Sequence, residues 1–222
     1  MDAFKIINDI LLNSENPSIE IEKLMGEEEC NNSIFELLAK LKDVPQDKKF
    51  HPEGNVWNHT KMVIDFAAKV RNFANNKEVF MWSALFHDIG KITTTEFIKG
   101  RYRSYNHDTE GEKITYNILK YYIEDEEVND ISQIIRFHMH HIYILKDLPF
   151  SDIPNLIKSK NYNDIILLFI CDKLGRGNQD IEDKIRVLNE IEAILDKLQR
   201  ENSNINNDMK FKIDEIKNII IK

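Results

Sequence analysis

The chain has 222 residues, of which 42% are hydrophobic and 31% charged, with only 7 Gly and 5 Pro. This balance is typical of one compact domain with a buried core, and it excludes a collagenous or disordered chain. The formal net charge of −8 repels a polyphosphate backbone, so we do not expect long nucleic acids as partners.

Targeting and redox signals point to the cytoplasm. The richest apolar run, Ile165 to Cys171, falls far short of the roughly 18 apolar residues of a membrane span, so no membrane partner is expected. Asp2 and Asp9 stand where a signal peptide has basic residues, which predicts a cytoplasmic protein. Cys30 and Cys171 lie far apart and are predicted to be reduced thiols.

Helical periodicity of apolar residues runs through nearly the whole chain. Ser33 is a candidate N-cap, and Gly90 is a candidate helix end. Residues 43–57 and 93–106 are predicted as irregular loops, and residues 202–208 as an Asn-rich linker. In chain order, the predicted helices span residues 2–12, 33–41, 58–73, 79–89, 108–122, 128–145, 162–174 and 180–200, with a short helix after 208. With no convincing strand alternation, the prediction is an all-α, single-domain helical bundle.

Polar residues interrupt or end the most apolar helices. His87 and Asp88 end one apolar run, Asp172 ends another, and His59 lies on a third predicted helix. A buried carboxylate without a partner costs several kcal/mol, so these acids need a cation or strong hydrogen bonds. Helices in a bundle can project such side chains to one point, where a metal ion would compensate them. For each residue alone, hydrogen bonding or exposure to solvent is the better explanation, so the metal hypothesis rests on the set of residues.

Three sequence segments then carry a resemblance to a known family. Asn58-His59-Thr60, the string from Leu85 to Lys91 (LFHDIGK) and the string from Asp172 to Arg176 (DKLGR) resemble the three successive motifs of HD-domain metal-dependent phosphohydrolases. Together with GNVWNHT, NHDTEGEKI and RFHM, they are most similar to the HD domains attached to some tRNA nucleotidyltransferases. The resemblance implies a metal-binding core in residues 51–180, with packing helices in 1–50 and C-terminal helices of the same domain in 181–222.

The resemblance also implies a ligand set. The first ion would be bound by His59, His87, Asp88 and Asp172. Mixed imidazole and carboxylate ligands suit Mn, Fe, Co, Ni or Zn better than Mg or Ca. A second ion, bridged by Asp88, would use the two residues that resemble the additional histidines of binuclear members, His107 and His138.

The second ion has a competing explanation, so the sequence leaves one ion or two open. His107 lies beside Asp108 and could instead cap a helix, and His138 could be a core histidine. On a continuous helix only His141 shares the face of His138, so we expect His140 to face solvent and His141 to be a pocket residue.

Catalysis is assigned to Asp88 as a bridging ligand and to two cations. Lys91 lies three residues after Asp88, and Arg176 lies four after Asp172, so each shares a helical face with a carboxylate and could contact a substrate phosphate. The alternatives are a surface lysine that neutralises a carboxylate and an arginine in a structural salt bridge. In the loop 93–106, Arg101 and Arg103 alternate with Tyr102 and then Tyr105, which suits a nucleotide or a solvated loop.

These features predict a phosphatase or phosphodiesterase that cleaves a small phosphate ester, such as a nucleotide, with metal-activated water. Two other functions fit the same ligands. One is a non-catalytic module that senses a nucleotide or a metal, and the other is a di-iron oxygenase on the same fold.

Overall fold

The computed structural model describes residues 2–25, 34–177, 179–202 and 207–221. Its helices run in a bundle with one small hairpin, so the all-α prediction is confirmed. The helices are α1 (Ala3–Asn13), α2 (Pro17–Leu24), α3 (Ile34–Lys40), α4 (Val56–Val70), α5 (Lys77–Phe86), α6 (Lys91–Thr94), α7 (His107–Leu119), α8 (Asp125–Phe137), α9 (His140–Leu145), α10 (Ile153–Lys158), α11 (Tyr162–Leu174), α12 (Ile181–Glu201) and α13 (Asn207–Ile221). The strands are β1 (Thr95–Ile98) and β2 (Arg101–Ser104).

Helices α5 and α11 form the centre of the bundle. Both are apolar around most of their circumference, as expected of helices that other helices surround on every side. Helices α1, α4 and α8 pack against α5, while α12 packs against α11 and α9. The core therefore lies around two helices whose C-terminal ends carry the motif residues Asp88 and Asp172.

A buried carboxylate fixes how the two central helices meet. Asp164 of α11 accepts hydrogen bonds from the backbone N–H groups of Asn75 (2.8 Å) and Asn76 (3.3 Å), just before α5. Asn76 in turn caps α5 by accepting from the N–H groups of Glu78 and Val79. Burial raises the pKa of Asp164, although the two N–H donors oppose that shift. The start of α5 is thereby held against α11.

The helix predicted over residues 128–145 is wrong as one continuous element. It ends at Phe137, and a separate helix, α9, begins at His140. The carbonyl of Ile135 accepts both the backbone N–H (3.2 Å) and the ring Nδ1–H (2.6 Å) of His138, which turns the chain after α8. Because apolar residues continue across the turn, periodicity gave no sign of it.

The irregular loop predicted over residues 93–106 is also wrong, because β1 and β2 pair there as an antiparallel hairpin. Lys99 (φ 50°) and Gly100 (φ 81°) form the two-residue turn, in which both central residues have positive φ. The hydroxyls of Thr95 and Ser104 join the open end of the hairpin at 2.7 Å. Four-residue strands and a Lys-Gly turn, in place of the preferred Asn-Gly, explain why the pattern was missed.

Gly90 was predicted to end the central helix, but α5 ends at Phe86. Glycine is required at position 90 because two backbones approach each other closely there. A Cβ atom at position 90 would lie 2.5 Å from the backbone nitrogen of Gly111 and would overlap the carbonyl oxygen of His107. The turn that carries Asp88 is thereby seated against the first turns of α7.

Some predictions fall on other parts of the chain. The Ser33 cap and Cys30 lie outside the described residues. Cys171 is a free thiol whose pKa is raised well above its usual range by burial. The three residue ranges assigned to the domain stay a prediction. Among the described helices, none has both the length and the apolar character needed to cross a bilayer.

Substitution of Gly90 by Ala should destabilise the protein, because two backbones would have to separate to admit the methyl group. Overpacking of this kind costs about 1–3 kcal/mol. Urea unfolding would measure the loss. Gly177→Ala is the matched control, since a Cβ there meets nothing closer than 3.8 Å. Equal stability of the two variants would contradict the close-packing role of Gly90.

Candidate metal centre

Two buried carboxylates meet at the ends of the central helices. Asp88 lies in the turn after α5, and Asp172 lies in the last turn of α11. His59 of α4 reaches both, with its Nε2 atom 3.0 Å from Asp172 Oδ1 and 3.8 Å from Asp88 Oδ2. The Nε2 atom of His87 lies 3.3 Å from Asp88 Oδ2. The four residues predicted to bind the first ion are therefore brought together.

The other carboxylate oxygen of Asp88 faces a second pair of histidines. The Nε2 atoms of His107, the first residue of α7, and His138, which follows α8, lie 3.4 Å and 3.7 Å from Asp88 Oδ1. These two Nε2 atoms are 3.1 Å apart. Asp88 thus stands between two groups of ligand atoms and presents one oxygen to each, which is the arrangement expected of a bridging carboxylate.

The histidine rings are oriented by their Nδ1 atoms. In four of them, Nδ1 lies within hydrogen-bond distance of a backbone carbonyl, which can only accept, so Nδ1 carries the proton and Nε2 is the unprotonated atom of the neutral ring. The acceptors are Ala84 for His87 (2.8 Å), Ser104 for His107 (2.7 Å), Ile135 for His138 (2.6 Å) and His138 for His141 (2.7 Å). Metal-binding histidines are oriented in this way.

The resulting cluster fits a divalent cation. The Nε2 atoms of His87 and His141 are buried without a hydrogen-bond partner among the described residues. The Nε2 atoms of His107 and His138 lie close together, so their lone pairs would repel each other unless a cation or a proton lies between them. Among the described residues, three sets of ligand atoms are close enough to hold an ion, namely those of His59, His87 and Asp172, those of Asp88, His107 and His138, and those of His51, Glu53 and His59. The first two contain the predicted ligands.

The carboxylates are held in their ionised form. Burial by itself would raise the pKa of Asp88, but the Lys91 ammonium and the His87 ring hold it well below its usual range. Burial opposes ionisation of Asp172 in the same way, but the Arg176 guanidinium and His59 hold its pKa well below its usual range. Ionised carboxylates are the form that binds metal.

The histidines divide into two electrostatic classes. Burial lowers the pKa of His107 and His141, each to about 3. Burial also disfavours charge on His59 and His138, but the facing carboxylates of Asp172 and Asp88, respectively, raise the pKa of both rings. Of these four rings, His59 and His138 therefore hold a proton more readily than His107 and His141, and a metal ion would compete with that proton for the same nitrogens.

The two predicted catalytic cations line the same cavity as the two carboxylates. Lys91 is buried, not on the surface, and its Nζ atom donates to Asp88 Oδ2 (2.7 Å) and Gln46 Oε1 (2.8 Å). Arg176 Nη2 lies 3.6 Å from Asp172 Oδ1. The cavity has a volume of about 330 Å³ and contains Asp88, Lys91, His107, His138, Asp172 and Arg176 in its walls.

The break between α8 and α9 determines where the rings of His140 and His141 lie. The expectation that His140 faces solvent is wrong, because its ring is buried and packs edge-on against Phe137 and Tyr143. His141 lies with Nε2 3.5 Å from Asp172 Oδ2, beside the first group of ligands. Sequence spacing singled out His141 as a pocket residue but did not join it to the ligand set.

Glu53 was missed entirely. One of its carboxylate oxygens lies 3.1 Å from His59 Nδ1 and 2.9 Å from His51 Nδ1, and His59 Nδ1 is also 3.1 Å from the carbonyl of Gly175. A carboxylate in this position orients the ring and increases its basicity as a ligand. Glu53 lies in the loop before α4, where no periodicity exists to show which way a side chain points.

A helical bundle in which histidines and aspartates from five segments converge defines a class of metal-binding protein. A family model described as the HD domain matches residues 56–188. The chain belongs to the HD-domain family, which confirms the resemblance in the three motifs.

Curated relatives agree with this assignment. The chain is 26% identical over 170 residues to the multifunctional CCA protein of Actinobacillus pleuropneumoniae serotype 5b (strain L20), a match that covers 73% of this chain and 41% of that protein. It is 26% identical over 151 residues to the multifunctional CCA protein of Pasteurella multocida (strain Pm70), with 64% of this chain and 36% of that protein covered. The chain thus spans less than half the length of these relatives.

Alanine variants of the second histidine pair would count the ions. If Asp88 bridges two ions, His107→Ala and His138→Ala should each lose about one of two bound ions per chain, measured by elemental analysis after dialysis with Mn²⁺. His140→Ala is the matched control, because it removes a buried histidine from outside the cluster and should keep the full metal content. One ion per chain in the parent protein, unchanged in both variants, would contradict the second site.

Proposed function

We propose that the protein is a cytoplasmic metal-dependent phosphohydrolase that cleaves a small phosphomonoester or phosphodiester, such as a nucleotide. The observation that carries the proposal is the presence of two cations, Lys91 and Arg176, in the same cavity as the histidine and aspartate cluster. Both cations offset the charge of a buried carboxylate, and both also line the cavity, where they are placed to meet an anion. An anionic substrate explains that charge.

The ligands proposed for the first ion are His59, His87, Asp88 and Asp172, and those for the second are Asp88, His107 and His138. A bound divalent ion of the Mn, Fe, Co, Ni or Zn type supplies Lewis acidity, which makes water nucleophilic near neutral pH and polarises the phosphoryl oxygen. The residues contribute by holding their ligand atoms in place before substrate arrives.

Lys91 and Arg176 stabilise the charge that develops on the phosphoryl oxygens. Lys91 has three ammonium donors, and Asp88 and Gln46 use two of them, so one remains for substrate. Arg176 lines the cavity with a guanidinium that Asp172 contacts only at 3.6 Å, and in the part of the chain that the structure describes its buried Nε atom has no hydrogen-bond partner. Both cations can therefore serve a carboxylate and a phosphate at once.

Asp88 links the metal ligands to the substrate cations. Its Oδ2 atom accepts from Lys91 on the side of His59 and His87, while Oδ1 faces His107 and His138. Asp88 therefore lies between the ligand atoms and the ammonium proposed to receive the phosphate, and its carboxylate would orient a nucleophilic water there.

The same cations bear on the alternative functions. An ammonium and a guanidinium in the cavity suit a phosphoryl group, so these residues favour phosphate chemistry over a di-iron oxygenase. The resemblance to HD domains attached to tRNA nucleotidyltransferases supports a nucleotide as the substrate.

The direct test is a panel of phosphomonoesters and phosphodiesters assayed with Mn²⁺, Co²⁺, Ni²⁺ and Mg²⁺. The proposal predicts hydrolysis that a chelator abolishes and that transition metals restore better than Mg²⁺. Asp88→Ala should lose hydrolysis and bound metal together, because Asp88 contacts both groups of ligands. Wild-type turnover with full metal content in that variant would refute the proposal.

Lys91→Ala should separate substrate binding from metal binding. Its removal takes a competing cation away from Asp88, so metal content should be kept, while turnover should fall about 10²- to 10³-fold, as for other lost charge-stabilising donors. Elemental analysis and steady-state kinetics on one preparation would measure both. If metal content drops as far as in Asp88→Ala, then Lys91 supports the metal site and not the substrate.

A further inference from the structure

The mouth of the metal-site cavity is lined by aromatic side chains that the core does not bury. Phe50, Tyr102 and Tyr105 line the cavity and are 49%, 39% and 58% exposed, respectively. We call these three residues the aromatic rim. Large apolar rings left half-exposed around one cavity mark a place where a ligand, and not the core, covers them.

The rings of the rim are held in position by neighbouring side chains. Tyr102 pairs with Phe97 across the hairpin, with their ring centroids 5.1 Å apart and edge-on. The Arg103 guanidinium donates to the hydroxyl of Tyr105 and lies 5.8 Å from its ring. Lys49 lies 5.6 Å from the ring of Phe50. These contacts hold the rings at the cavity mouth before a ligand arrives, which lowers the entropic cost of binding.

Two polar side chains near the rim are already engaged. The side-chain amide of Gln46 accepts from Lys91 and donates to the carbonyl of Asn55 (3.2 Å). The hydroxyl of Ser104 is bonded to that of Thr95. Neither side chain is free to read the edge of a flat ring, while the faces of that ring can stack on the rim.

Phosphate-binding cations in the cavity and aromatic faces at its mouth suit a molecule with an anionic end and a flat ring. We propose that the aromatic rim stacks the base of a nucleotide whose phosphate lies at Lys91 and Arg176, and that it does so with little selection among bases. Stacking on aromatic side chains tolerates every base, because each has a π face. This inference rests on the proposed function and names its substrate class.

The first experiment compares ligands with and without a base. The probes are the 2′, 3′ and 5′ monophosphates of adenosine and cytidine, set against ribose 5-phosphate and glycerol phosphate. The nucleotides should be preferred in kcat/KM, and Tyr102→Ala should reduce that preference roughly 5- to 150-fold, the range expected for loss of one stacked base. Tyr102→Phe keeps the ring and should keep the preference.

Tyr121→Ala is the matched control, because Tyr121 is 77% exposed and lies in the turn after α7, away from the cavity. It should leave the preference for nucleotides unchanged. Equal kcat/KM for nucleotides and ribose 5-phosphate in the parent protein would overturn the inference, as would an equal effect of Tyr102→Ala on both. A preference above about 100-fold between adenosine and cytidine monophosphates would overturn the lack of base selection.

Calorimetric binding separates this inference from the proposed hydrolysis. If adenosine monophosphate binds more tightly than ribose 5-phosphate in a Tyr102-dependent way, but nothing is cleaved, base stacking on the aromatic rim is supported and the proposed hydrolysis is refuted. If both compounds are cleaved with no effect of the base, the proposed hydrolysis is supported and base stacking on the aromatic rim is refuted. Failure of adenosine and cytidine monophosphates to bind at all would overturn the rim.

Discussion

The structure depends on the burial of two ionised carboxylates, Asp88 and Asp172, among histidine nitrogens that face them. A buried carboxylate costs several kcal/mol unless cations and hydrogen bonds compensate it. Lys91 and Arg176 supply part of that compensation, and the converging Nε2 atoms create a demand for more positive charge. A metal centre satisfies both demands at once.

The bundle serves this cluster by ending its central helices at the right places. Helix α5 stops at Phe86, so the next turn can bring His87 and Asp88 to one point, and Gly90 lets that turn sit against α7. The early end of α8 does the same for His138. Because backbone carbonyls hold the Nδ1 atoms, the ligand atoms are oriented by the same turns that end the helices.

Sequence reasoning located two ligands from the helical pattern and reached the others through the family motifs. Asp88 and Asp172 could be predicted because a polar residue ending a buried helix is visible in one dimension, whereas His59, His107 and His138 followed from the resemblance. The hydrogen bond from His138 to Ile135, which breaks the predicted helix, is not visible in the sequence. His140 was therefore predicted to face solvent. Glu53 lies in a loop, and the hairpin has short strands, so neither has a period to detect.

The most direct measurement is a crystal structure with Mn²⁺, in which anomalous scattering locates the ions. The account predicts two peaks roughly 3.5–4 Å apart that share Asp88. One should lie about 2 Å from the Nε2 atoms of His59 and His87, and the other at a similar distance from those of His107 and His138. A cluster without any peak, with the Nε2 atoms turned away from Asp88, would contradict the account.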